Sequence, residues 1–112
     1  MTNFPLSALR KKGNLFFISG QIGQLDGQLV SDGIVEQTFQ AISNVEAILK
    51  QNGLGLENVV DVTAFLTDQN DYEAFNDAYN KGFLEPYPSR TTVTVKSLPL
   101  SAKVELKVIA SK

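Results

Sequence analysis

Val59-Val60-Asp61-Val62-Thr63-Ala64-Phe65-Leu66, closed by Thr67-Asp68-Gln69-Asn70, is the stretch that decides the fold class. Seven β-branched or apolar residues around one Asp, ending in polar turn formers, read as a buried strand. The period then changes. Tyr72, Phe75, Tyr79 and Phe83 recur three and four residues apart, the stripe of a helix, and Asn70 or Asp71 stands where its cap belongs. The stripe reads as core and not as a cofactor box.

Upstream, Leu15-Phe16-Phe17-Ile18 is a short apolar run stopping at Ser19-Gly20, as expected of a central strand buried on both faces. Asp26-Gly27 separates Gln24-Leu25 from Gln28-Leu29-Val30 and signals a tight hairpin or bend. Ile34, Thr38, Ala41, Ile42, Val45, Ile48 and Leu49 then recur at helical spacing. Ser31 or Asp32 is placed to cap this helix, which runs through Asn52, and Gly53 supplies the left-handed stop. Downstream, Glu85-Pro86-Tyr87-Pro88-Ser89 cannot continue a helix and reads as a rigid connector. Arg90 to Ser97 alternates Val93 and Val95 against Thr92, Thr94 and Lys96, while Val104, Leu106 and Val108 alternate against Glu105 and Lys107: two half-buried strands. The order β, β, α, β, α, β, β describes an α+β fold with two helices on one face of a mixed sheet. The other face needs a cover, and a second copy of the chain is the economical one.

Residues 1–112 read as a single domain, with 43% hydrophobic residues to close one core. Ten basic against twelve acidic residues give a net charge of −2, so nucleic acid is a poor default partner. No apolar run approaches the roughly 20 residues of a membrane span. Met1-Thr2-Asn3-Phe4-Pro5 lacks the basic-then-apolar order of a leader. A cytoplasmic protein without membrane attachment is expected. Cys and His are both absent, which removes thiolate nucleophiles, imidazole bases and zinc sites built on either. Any catalysis falls to Arg, Lys, Asp, Glu, Tyr, Ser, Thr, backbone groups and water.

Several words in the chain are similar to those of the reactive intermediate deaminase family (RidA/YjgF, also called L-PSP). Phe17-Ile18-Ser19-Gly20-Gln21-Ile22 resembles its Ser-Gly-Gln signature, Glu36-Gln37-Thr38 with Asn44 to Leu49 its first helix, Asp61 to Leu66 its middle strand, and Asn76-Asp77-Ala78-Tyr79 its second helix. Tyr87-Pro88-Ser89-Arg90-Thr91-Thr92-Val93 resembles the Pro-Ala-Arg-Ser motif, and Leu98-Pro99 with Val104 to Ala110 the closing words. The matches are collinear from about Gly13 to Ala110. The resemblance implies a chorismate-mutase-like mixed β-sheet assembling as a homotrimer, with a site in each cleft between subunits. It also implies hydrolysis of reactive 2-imino or enamino acids (2-aminoacrylate, 2-iminobutyrate type) to 2-keto acids and ammonia, with no cofactor and no metal.

Arg90 is the first candidate on chemical grounds: its fork of donors matches a carboxylate bidentately, and it follows the rigid Pro88-Ser89 step on a polar strand face with Thr92. The family reading makes it the grip on the substrate carboxylate. Glu105, opposite in face to Val104 and Leu106, is by alternation alone a solvated residue. The resemblance makes it the group that places the hydrolytic water, work a carboxylate can do without histidine. The resemblance implies that Ser19 and Gly20 line the cleft and, with Thr92, bind substrate; a glycine ending a buried strand also permits close approach of a ligand or another chain. Asn76 and Tyr79 are supporting. Four positions depart from the family: Leu6 replaces a tyrosine, Gly23 a proline, Thr92 a frequent cysteine, and Lys107, read as surface, a second acid.

If the last two strands pair as a hairpin with Ser97 opposite Lys103, Glu105 faces Val95, roughly 16 Å from Arg90 at about 3.3 Å per residue. The resemblance implies strands that are not neighbours. Either way the cleft must be completed by something beyond this hairpin, and a neighbouring copy can do so. Two other functions remain open: a trimeric small-molecule-binding or regulatory protein without turnover, and an endoribonuclease or translation inhibitor, which a chain without His and with net negative charge serves poorly.

Overall fold

The computed structural model describes residues 4–112; the Met1-Thr2-Asn3 read above for a leader lies outside the described residues. The strands are β1 (Leu9–Lys12), β2 (Leu15–Ile22), β3 (Gln24–Leu25), β4 (Gln28–Leu29), β5 (Val59–Leu66), β6 (Ser89–Thr94) and β7 (Val104–Ser111). Helices α1 (Ile34–Gln51) and α2 (Tyr72–Gly82) precede β5 and β6 respectively. Five strands form one sheet in the order β1-β2-β7-β5-β6, and β3 and β4 pair as a separate hairpin. All pairings are antiparallel except β5–β6, where Arg90 lies beside Val62 and Thr92 beside Ala64. That parallel pair needs a crossover, and α2 is the crossover. Both helices lie on one face, burying Ile42, Val45, Leu49, Phe75, Tyr79 and Phe83 against Ile18, Val62, Leu66, Val104, Leu106 and Val108. The molecule is a plate, 40 × 38 × 20 Å.

The Asp26-Gly27 turn is as expected, with φ of 55° and 83°, the pair of positive values that a two-residue hairpin uses. Gly53, at φ 75°, follows α1. The cap of α1 differs from expectation: Gly33 is the N-cap, and Ser31 acts two residues earlier, its Oγ accepting from Gly33 N–H at 2.9 Å. Asp71 is the N-cap of α2, one of the two positions expected, but its side chain makes no cap hydrogen bond, and Asp68 accepts from the Asn70 N–H.

Three strand readings are corrected. β1 was missed: Leu-Arg-Lys-Lys carries no apolar alternation because it is an edge strand with little to bury. β2 is central but not buried on both faces. Phe16 and Ile18 are buried, Phe17 is half-buried and Leu15 exposed, because no helix covers their side. β6 ends at Thr94 and turns its polar residues, Arg90 and Thr92, toward the helices, leaving Val93 on the open face. β7 is half-buried as read: Val104, Leu106, Val108 and Ala110 are buried on the helix side, while Glu105 and Lys107 lie on the open face.

One buried polar residue ties the loops to this core. Gln37 is 1% exposed, donates to Ser31 C=O at 2.8 Å and accepts from Lys103 N–H at 2.8 Å. Asn44 does similar work, donating to the carbonyls of Ile22 and Gln24.

Candidate active site

The candidate residues fall into two groups, which the fold sets on opposite faces of the sheet. The first is built on β6. Because Arg90 is in register with the helix-facing Val62, its side chain runs under α2. The guanidinium carbon lies 4.7 Å from the Tyr79 ring centroid, 5.2 Å from Phe75 and 5.9 Å from Tyr72. Aromatic faces hold a guanidinium by cation–π attraction and fix its plane. The rings pack on one another, Phe75–Tyr79 at 5.6 Å and Tyr79–Phe83 at 4.6 Å, so the cradle is continuous with the core. Among the described residues the sole salt bridge is Lys50–Glu46, so the Arg90 charge has no carboxylate partner. Thr92 stands two residues along on the same face, and its Oγ1 and the Tyr79 hydroxyl are buried without a hydrogen-bond partner among the described residues. Burial pushes the Tyr79 phenol up to about 12, against the lowering pull of Arg90.

The second group lies where β2 meets β7. Ile18 pairs with Val108 and Gln21 with Leu106, so β2 carries one residue more than β7 across Ser19-Gly20, a β-bulge. Gly20 sits directly against Glu105, and a Cβ there would overlap its carboxylate. The sequence reading gave Gly20 to the approach of a ligand or another chain; the group that approaches is Glu105 of the same chain. Half-buried there, the Glu105 carboxyl is raised above its ordinary value by loss of hydration. Ser19 Oγ donates to Ser7 C=O at 2.6 Å, pinning the segment before β1. Ser7 and Ser19 line a cavity of about 420 Å³ with Leu6, Arg10, Phe17 and Lys107.

Arg90 and Thr92 are thus brought together, as are Gly20 and Glu105, but the two pairs are not. Arg90 is level with Val62 on β5 and Glu105 with Phe65. Three residues along at about 3.3 Å each, and two strand spacings across at about 4.8 Å each, set their backbones roughly 14 Å apart before the opposite faces are counted. The hairpin between the last two strands does not form, since β5 separates β6 from β7. The aromatic cradle was missed as a functional feature. Its only sequence signal, the α2 stripe, is equally the signal of a core helix.

An otherwise antiparallel five-stranded sheet with one parallel β5–α2–β6 unit and both helices on one face defines a class of small two-layer α+β domains. The model of one such family, Endoribonuclease L-PSP, matches residues 2–112, and the chain belongs to that family. Reactive Intermediate Deaminase A, chloroplastic, of Arabidopsis thaliana is 39% identical over 109 residues, 96% of this chain and 58% of its own length. The chain therefore spans little more than half of that relative. The 2-iminobutanoate/2-iminopropanoate deaminase of Capra hircus is 43% identical over 96 residues, covering 84% of this chain and 70% of the relative. The crystal structure of RidA from an Antarctic Psychrobacter species superimposes with a TM-score of 0.92 at 33% identity, covering 100% of this chain and 92% of that one. No helix among the described residues is long and apolar enough to cross a membrane.

Proposed function

We propose that this protein is a cytoplasmic hydrolytic deaminase of reactive 2-imino and enamino acids, of the 2-aminoacrylate and 2-iminobutyrate type, producing 2-keto acids and ammonia without a cofactor. The observation that carries the reading is the Arg90 guanidinium, held over aromatic rings and without a carboxylate partner among the described residues. Such a group lacks only an anion, and a 2-imino acid brings a carboxylate one bond from its reacting carbon. Relatives named as imine and reactive intermediate deaminases agree with this.

In this reading Arg90 holds the carboxylate and Thr92, with backbone groups near Ser19 and Gly20, steadies the nitrogen. Glu105 accepts a proton from water as the water oxygen bonds to the C=N carbon. The proton then passes to nitrogen to give a carbinolamine; the hydroxyl proton next moves to the nitrogen through Glu105, so that the C–N bond breaks as C=O forms, ammonia leaves and the keto acid remains. A carboxyl raised by burial is a stronger base for that step than a solvated one. Arg90 and Glu105 of one chain cannot reach the same small molecule, so the proposal includes a homotrimer with each cleft shared between copies. The open face offers partly or fully exposed Leu15, Phe17, Phe65, Val93 and Ile109 for such contact.

The test is a coupled assay in which a threonine dehydratase generates the imine with and without this protein. Refolding an Arg90→Ala chain together with a Glu105→Gln chain should restore part of the activity that each lacks alone. No acceleration of keto-acid release by the wild-type protein refutes the deaminase, and verified mixed oligomers without activity refute the shared cleft. Binding of 2-ketobutyrate without turnover would mark a small-molecule-binding protein.

A further inference from the structure

Arg90 shares the mouth of its cradle with a hydroxyl. Its Nη2 donates to the phenol oxygen of Tyr72 at 3.3 Å. Tyr72 is the first residue of α2 and is 46% exposed, whereas Phe75 and Tyr79, further along the stripe, are 0% and 4% exposed. The stripe therefore changes character along its length, closing the core at Phe75, Tyr79 and Phe83 and reaching solvent beside the guanidinium at Tyr72. A phenol oxygen that accepts from Arg90 still has its own O–H to give.

We propose that Tyr72 is a substrate-binding residue whose phenol O–H donates to the same carboxylate that Arg90 grips, completing a clamp of guanidinium fork and hydroxyl. The proposal deepens the function given above and rests on Arg90 being the carboxylate grip. Two donors 3.3 Å apart can both reach one carboxylate, whose two oxygens offer about four acceptor sites. Hydrogen bonds to ionised acceptors are the strong ones, and a more acidic donor strengthens them. The Asn76 side chain, and then the Arg90 charge, hold the Tyr72 phenol below its ordinary value. The charged and titratable groups around it are Arg90 from β6, Tyr79 from the next turns of α2, and Asp61 from β5, which acts on Tyr79. Tyr79, at about 12, stays protonated where Tyr72 ionises.

The experiment is calorimetric titration of 2-ketobutyrate into wild type, Tyr72→Phe, Tyr72→Leu and Arg90→Ala, with thermal melts to confirm folding. Tyr72→Phe keeps the ring and removes only the hydroxyl, and should weaken binding by about 10- to 100-fold, the range for a hydrogen bond to a charged group. Tyr72→Leu should bind no better than Tyr72→Phe. As pH rises toward 10, wild-type affinity should fall, because ionised Tyr72 loses its proton and sets an anion beside the carboxylate, and this fall should be missing in Tyr72→Phe. A purely structural role for the ring would show neither effect in Tyr72→Phe. Wild-type affinity in Tyr72→Phe, or an alkaline fall that persists in it, overturns the proposal while leaving Arg90 in place. Undiminished binding by Arg90→Ala, or none by wild type, removes the parent reading and this one with it.

Discussion

Replacing Gly20 by alanine separates the geometry of Glu105 from the stability of the sheet. A Cβ at residue 20 would stand 2.8 Å from the Glu105 carboxyl carbon and 3.1 Å from its Cγ, with Oε2 nearer still. Carbon atoms pack at about 3.5–4 Å, so the side chain must retreat by roughly 1 Å. The three nearest atoms all belong to the Glu105 side chain and none to backbone. Rotation then relieves the overlap at roughly 0.5–1.5 kcal/mol. The expected fall in Tm is small, about 2–8 °C. Catalysis is more demanding: displacement of a reacting group by about 1 Å can lower the rate about 100-fold, or roughly 2.7 kcal/mol of barrier. The coupled deaminase assay should therefore show a large loss in Gly20→Ala, while 2-ketobutyrate binding through Arg90 and the melting curve change little. In a Glu105→Gln background the same substitution should lose nothing further, because both changes act on one group. Wild-type turnover in Gly20→Ala, or losses that multiply in the double variant, would refute the role given to Glu105.

Arg90→Ala should abolish deamination and 2-ketobutyrate binding while the chain stays folded, and Arg90→Lys should rescue poorly because an ammonium lacks the planar fork, both read by calorimetry and the coupled assay. Glu105→Gln should lower turnover by about 10²–10⁴-fold with ligand binding kept. In the proposed reaction Glu105 works as the carboxylate, the form present above its pKa. Wild-type activity should therefore fall as pH drops through a value above 4.5, and a pH–rate profile of Glu105→Gln should lack that limb. Gln37→Leu should lower stability by about 1–3 kcal/mol in all, since it strands two half-buried groups, the Lys103 N–H and the Ser31 carbonyl, as measured by urea unfolding.

The elements that pack a core were legible because burial imposes a period on the sequence. Val59–Leu66 and the stripe at Phe75, Tyr79 and Phe83 announced β5 and α2, and Asp26-Gly27 announced its hairpin. β1 left no such trace, since an edge strand of Leu9, Arg10, Lys11 and Lys12 is fixed by backbone pairing with β2. The direction of Arg90 was equally hidden. A strand alternating Thr and Val gives its two faces but not which one lies under a helix, and only the parallel register with β5 decides that. Gly20 looked like room for a ligand because the carboxylate that fills the space lies 85 residues further along, on a strand brought alongside by tertiary structure.

The aromatic cradle has a consequence for how variation in this chain should be read. Phe75 and Tyr79 are at once interior packing and the bed on which Arg90 rests. An aliphatic replacement of similar volume at either position can satisfy the core and pass a screen for folded protein, yet it leaves the guanidinium without the flat surface that sets its plane. Surveys that sort positions into buried and functional would file these two under burial. A library scored in parallel for abundance and for turnover should instead find them among the residues where the two scores part most sharply.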